Sequence, residues 1–312
     1  MIKKILLATC ALILVIAGAG YLAIDFNKQA MYQLATDLGA KEAGLVAKEL
    51  KVKGHNVHYL ENGLKDTKPT LLMVHGFGAF KENWIRMAIE LKDDFHMVSI
   101  DLPGHGDSDY FADSDYDIDQ QVAAIHEFAQ QVIGRPFYMT GNSMGGAITA
   151  LYSATYPKDI LASVLLDPGH ITDVESEFHM HLRNGVNPLI VENSDQFRTM
   201  VAFAMSQPPP MPWFIADVST QKMAERKHKN DKIWIDITQN QRYDFKKMLG
   251  NITSPTTIAW GKEDRVLHYK NAYIFQHLIK NSTVEIMDNV GHAPMIEVPK
   301  LAANLMRQML AK

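Results

Sequence analysis

Short apolar runs separated by helix-period segments dominate this chain of 312 residues. The runs at 70–74, 136–140, 162–166, 255–260 and 282–287 are rich in β-branched, aromatic or aliphatic residues and are bounded by Gly, Pro, Asn or Asp. Each reads as a strand, and 136–140 as a buried one. The stretch 146–152 after the second of them suits a packed helix. From about Val52 onward, strand and helix alternate, which predicts a mostly parallel sheet with helices on both faces. The alternation lapses between Gly169 and about Asn251, which predicts an insertion of about 171–250 between two strands.

The first 50 residues follow other patterns. Lys3 and Lys4 precede a run, 5–24, that contains no charged residue. About 20 apolar residues cross a bilayer's hydrocarbon core, whereas a cleaved signal's apolar region is about 7–15 long. Residues 1–25 are therefore expected to be a retained anchor, its basic lead in the cytoplasm and the rest on the far side (periplasmic in a bacterium). Secretion after signal cleavage near Ala19 is the alternative. Met31, Leu34, Leu38, Leu45, Val46 and Leu50 predict an amphipathic helical linker over 26–51, broken near Gly39 and Gly44. Residues 52–312 then form one domain.

Gly141-Asn142-Ser143-Met144-Gly145 lies between a predicted strand and a predicted helix. A serine at such a turn holds its hydroxyl out of the sheet, and its flanking glycines avoid a clash with neighbouring backbone. Ser143 is the candidate nucleophile, with a helix N-terminus behind it that favours developing negative charge. A serine needs a base, and the base needs an orienting acid, in the chain order serine, acid, histidine. His292, in a Gly- and Pro-bounded loop after 282–287, is the candidate base. His268 and His277 read as exposed loop histidines. Asp264, just after the strand at 255–260, is the candidate acid. Glu263 is its neighbour and rival, and Asp167, at the end of 162–166, is a second rival that reads better as a turn or cap residue. Two backbone N–H donors are needed for an oxyanion. Met144 follows the nucleophile, and Phe77, in His75-Gly76-Phe77-Gly78, supplies the second, with His75 bracing the loop.

These motifs, together with Asp101-Leu102-Pro103-Gly104-His105-Gly106-Asp107-Ser108 and Trp260-Gly261-Lys262-Glu263-Asp264, resemble in order those of the α/β-hydrolase family, most closely its membrane-anchored monoacylglycerol lipase branch and related bacterial esterases and lipases. The resemblance implies an eight-stranded α/β-hydrolase fold with an inserted helical cap. It also implies a Ser143–Asp264–His292 triad with an oxyanion hole from Phe77 and Met144, and cleavage of lipid esters without a cofactor. Rival readings are a hydrolase of carbon–carbon bonds in ring-cleavage products and a non-catalytic ligand-binding homologue.

Composition narrows the partners. A formal net charge of −4 gives no reason to expect nucleic-acid binding. The expected partners are a lipid ester and, through the N-terminal segment, a membrane; no protein partner is implied. The one cysteine, Cys10, lies in the apolar run, so the domain beyond it has no disulfide. Asp113, Asp115, Asp117 and Asp119 alternate like a calcium loop but lack its central Gly and closing Glu, so turn and cap roles near Ile118 are expected. No histidine–cysteine cluster suggests zinc. In the insertion, Met200, Met205, Met211, Trp213, Phe214 and Ile215 suit an acyl-chain pocket or an ordinary small core. Lys222, Arg226, Lys227, Lys229 and Lys232, interrupted by Glu225 and Asp231, read as a solvated helix face that could also meet anionic lipid.

Overall fold

A computed structural model describes Asp25, residues 27–240 and residues 244–311. The expected anchor at 5–24 lies outside the described residues. Among those described, no helix is long and apolar enough to cross a membrane.

Eight strands form one sheet in the order β1-β2-β4-β3-β5-β6-β7-β8. They are β1 (Val46–Val52), β2 (His55–Glu61), β3 (Thr70–Val74), β4 (His96–Ile100), β5 (Phe137–Asn142), β6 (Ile160–Leu166), β7 (Thr256–Gly261) and β8 (Ser282–Met287). β2 runs antiparallel to both β1 and β4, and the remaining neighbours are parallel. Every residue of β3 and β4 is buried, as a parallel sheet covered on both faces requires. In β3, Leu72 and Val74 enter one core cluster and Leu71 and Met73 the other, so the period of two sorts the strand between the two helical layers. At the edge, β1 is largely exposed and carries Lys48, Glu49 and Lys51, charges that discourage pairing with another chain.

The linker reading is corrected in its second half. Among the described residues of that stretch, the helix spans Lys28–Glu42 (α1). Gly44 has φ 71°, its N–H donates to the Lys41 carbonyl, and the Leu45 N–H donates to the Ala40 carbonyl. This is a Schellman stop, which a glycine in left-handed conformation permits. The chain leaves it extended, so Leu45, Val46 and Leu50 lead into and build β1, and the sheet begins before Val52. Gly39, expected to break the helix, sits inside it.

Five helices occupy the described part of the β6–β7 insertion: α5 (Glu177–Arg183), α6 (Ser194–Ala204), α7 (Trp213–Glu225), α8 (Lys227–Gln239) and α9 (Phe245–Leu249), following α2 (Ile85–Leu91), α3 (Ile118–Val132) and α4 (Met144–Thr155). The basic stretch is more than a solvated face. Arg226, between α7 and α8, is half-buried and donates to the carbonyls of Gly104 and Gly106, tying the insertion to the loop after β4. Lys222 lies over the Tyr32 ring, 4.6 Å from its centroid, and so joins the insertion to α1.

Candidate active site

The carboxyl ends of the parallel strands carry the chemistry, where open α/β sheets bind their ligands. Ser143 follows β5 with φ 57° and ψ −120°, a left-handed conformation that costs a non-glycine residue on the order of 1–3 kcal/mol. Packing enforces it. The Ser143 N–H donates to the Leu166 carbonyl at 3.0 Å, and its own carbonyl accepts from Gly169 at 2.9 Å. A Cβ on Gly145 would lie 2.1 Å from the Val74 carbonyl oxygen, and one on Gly141 would lie 2.0 Å from the Gly145 oxygen. Larger residues would push α4 off the sheet. Met144 is the first residue of that helix, and the first N–H groups of a helix have no partner within it.

His75, which ends the run after β3, is fully buried. Its Nδ1 meets the Gly76 carbonyl at 2.7 Å and its Nε2 accepts from the Leu102 N–H at 3.1 Å. Burial holds its pKa below the ordinary imidazole value. A neutral ring with both nitrogens committed braces the loop that carries Phe77. Behind the loop, the buried Asp101 carboxylate accepts from the Lys81 N–H at 2.7 Å, the Lys81 ammonium at 2.8 Å and the Asp107 N–H at 2.9 Å. Asp117 caps α3 through the Gln120 N–H, the role expected of the aspartate run.

Asp264 and His292 meet. The His292 Nδ1 lies 2.7 Å from Asp264 Oδ2, with both residues buried. The same Oδ2 accepts from Trp260 Nε1 at 3.1 Å, and Oδ1 accepts the N–H groups of Val266 and Leu267 at 2.8 and 2.9 Å. Four donors fix this carboxylate. Asn142 Nδ2 donates to the His292 carbonyl at 2.9 Å, which joins the histidine loop to the residue before Ser143. Glu263, the rival acid, is exposed and accepts from the Val290 N–H at 2.9 Å. His268 lies half-buried in the loop before the helix Asn271–Leu278 and His277 lies exposed on that helix, and neither lines the cavity that holds Ser143.

Asp167 is not the turn or cap residue expected. It is completely buried with φ 44°, its Oδ1 accepts from the Gly261 N–H at 2.8 Å, and one of its oxygens lies within 4.8 Å of both an Asp264 oxygen and a His292 ring nitrogen. A second residue escaped the sequence reading. Glu297, in the short helix Pro294–Glu297, accepts from Gly291, Ala293, Ser206 and Gln207 N–H groups at 2.8–3.2 Å. It clamps the histidine loop to the chain after α6. A glutamate a few residues beyond a candidate histidine carries no pattern that would announce this.

Ser143, Phe77 and Met144 all line one cavity of about 310 Å³. Its other walls are mostly apolar: Phe178 and Leu182 from α5, Leu189 from the loop after it, Trp234 and Ile237 from α8, and Val266. The Trp234 ring packs edge-on against Phe77 at 5.3 Å and Phe178 at 5.6 Å. The methionine–aromatic group at 200–215 supplies none of the lining residues, and the acyl-pocket reading of that group is set aside. Its position off α5 and α8 decided this, and period alone does not fix which insertion helix faces the sheet.

The family model described as alpha/beta hydrolase fold matches residues 69–299. The chain belongs to the α/β-hydrolase family. Among its relatives, Lipase 3 of Moraxella sp. (strain TA144) is 32% identical over 255 residues, covering 80% of this chain and 80% of that protein. Monoacylglycerol lipase ABHD6 of Bos taurus is 29% identical over 279 residues, covering 86% and 83%. The crystal structure of a membrane phospholipase A, described as a bacterial virulence factor, superposes with a TM-score of 0.88 at 34% identity, over 99% of this chain and 98% of that one.

Proposed function

We propose that the chain is a serine hydrolase of lipid carboxylic esters in which Ser143 is the nucleophile, His292 the base and Asp264 the orienting acid. The observation that carries the reading is the strained Ser143 turn opening into an apolar cavity, on a chain whose relatives include lipases. Ser143 Oγ attacks the ester carbonyl while His292 Nε2 takes its proton, and Asp264 stabilises the imidazolium through Nδ1–H. The N–H groups of Phe77 and Met144 hold the oxyanion. The imidazolium then protonates the departing alkoxide, leaving an acyl-serine. Water, deprotonated by His292, attacks that acyl group and releases the carboxylic acid and Ser143. No group in this cycle calls for a cofactor.

The walls from α5 and α8 suit one hydrocarbon chain, with the alcohol portion toward the mouth. Carbon–carbon hydrolases of ring-cleavage products share the fold at 19% identity, and no feature of this cavity favours their substrates. The test is hydrolysis of an ester panel that varies chain length, glycerol substitution and a phosphate headgroup. Turnover of acylglycerol or phospholipid esters is expected. A protein that cleaves none of them but cleaves a ring-fission dienoate would overturn the reading. The uncharged run 5–24 further supports attachment to a membrane by a single N-terminal span.

A further inference from the structure

We propose that Asp167 is a positioning residue of the active site, a neutral carboxylic acid whose Oδ2–H is held against the Asp264 carboxylate and keeps it aimed at His292. The inference rests on the triad reading above. Its starting point is an unbalanced account of hydrogen bonds. Asp167 is completely buried, its Oδ1 has the Gly261 N–H, and among the described residues no donor reaches Oδ2. A buried carboxylate oxygen without a donor is costly. A protonated one needs an acceptor instead, and an Asp264 oxygen within 4.8 Å of an Asp167 oxygen is the acceptor the proposal assigns.

Two buried carboxyls at such a distance do not both ionise. Geometry says which keeps the proton. Asp264 collects four N–H donors and Asp167 one, so the negative charge settles on Asp264. Burial first, and then the Asp264 charge, push Asp167 well above the ordinary carboxylate range. The titratable groups facing Asp167 are Asp264 after β7, His292 after β8 and, farther off, the Glu297 carboxylate, which acts in the same direction. Ionising Asp167 would break its bond to Asp264 and set a second negative charge beside His292. Loss of that bond should lower wild-type kcat on the alkaline side, as the pH rises through the raised pKa of Asp167.

Three variants and one spectrum test this. In D167N the amide oxygen can still accept from Gly261 and the amide N–H can still reach Asp264, and asparagine tolerates a positive φ. D167A should lower kcat roughly 10- to 100-fold, the worth of one hydrogen bond to a charged group, with KM little changed. D167N should recover most of that loss and, unlike wild type, hold its kcat through the alkaline limb, because the amide does not titrate. D264N should fall on the order of 10⁴-fold. Difference infrared spectra of wild type minus D167N should show a protonated-carboxyl C=O stretch at neutral pH. That measurement decides the matter even where D167A fails to fold.

The proposal is overturned if the stretch is absent, if D167N falls as far as D264N, or if folded D167A matches wild type in kcat and pH profile. Fluorophosphonate labelling of Ser143 separates the two ideas. Labelling that survives in folded S143A sinks the triad reading itself, whereas wild-type labelling on Ser143 with any of the three outcomes above sinks only the role of Asp167.

Discussion

Ser143 occupies backbone space that a side-chain-bearing residue avoids, and the molecule holds it there with bonds to Leu166 and Gly169 and with two glycines that allow no substituent. Such strain persists only where surrounding packing over-determines it. The proposed orienting acid, Asp264, is held with the same redundancy, since its two oxygens take four donors. Asp264→Asn therefore leaves much of the local scaffold in place while removing the charge that stabilises the imidazolium and fixes its tautomer. A kcat loss on the order of 10⁴-fold is expected, with KM changed far less, as read from steady-state hydrolysis of a short soluble ester. A loss below ten-fold would mean that the charge sits elsewhere. At this scale the sequence was legible for Ser143, Asp264 and His292, because a turn motif, a strand end and chain order mark them. It named Asp167 only as a rival acid that read better as a turn or cap residue, and it was silent on Glu297; the surroundings of both come from what other strands and loops bring against them. Burial of a strand-end aspartate and clustering of N–H donors on a glutamate are long-range facts with no local signature.

Most elements in the sheet centre were readable from composition, because strands buried on both faces need continuous apolar runs, but the buried β4, with His96 and Ser99 among its residues, was not read. The run at 282–287 coincides with β8, and the others fall within a residue or two of β3, β5, β6 and β7. Of the two edge strands, β8 was readable although its residues are mostly not buried, and β1 was not. β1 is exposed along most of its length and carries alternating charge, so its few apolar positions continued the helical spacing of α1 and hid the change of element. Only Gly44, a stop signal in left-handed conformation, marked the boundary. The insertion presents the same difficulty in three dimensions. It showed as an interruption of the alternation, but the face turned to Ser143 belongs to α5 and α8, while the more conspicuous Trp213 and Phe214 at the start of α7 meet each other edge-on and do not line that cavity. Arg226 is the clearest case: surrounded by lysines in sequence, it reads as surface, yet it reaches two carbonyls of the β4 loop and closes the insertion onto the domain.

The molecule joins an α/β-hydrolase domain to an N-terminal segment of different character. Every proposed catalytic residue lies beyond Val74, so the segment and the chemistry are separable. If 5–24 is a retained anchor, the full-length protein fractionates with membranes and resists extraction by high salt, because hydrophobic transfer rather than charge holds it. A chain starting near Asn27 leaves that fraction and still hydrolyses a short soluble ester. Recovery from cells of a soluble mature chain beginning near Gly20, by intact mass, would replace the anchor with a cleaved signal. The central claim is narrower than localisation: one serine, at the strained turn after β5, carries the acyl group. The most direct measurement is to treat the folded enzyme with a fluorophosphonate, digest it and map the adduct by mass spectrometry. The account predicts a single adduct on Ser143 and none in folded S143A. An adduct on another residue that persists in S143A would contradict it.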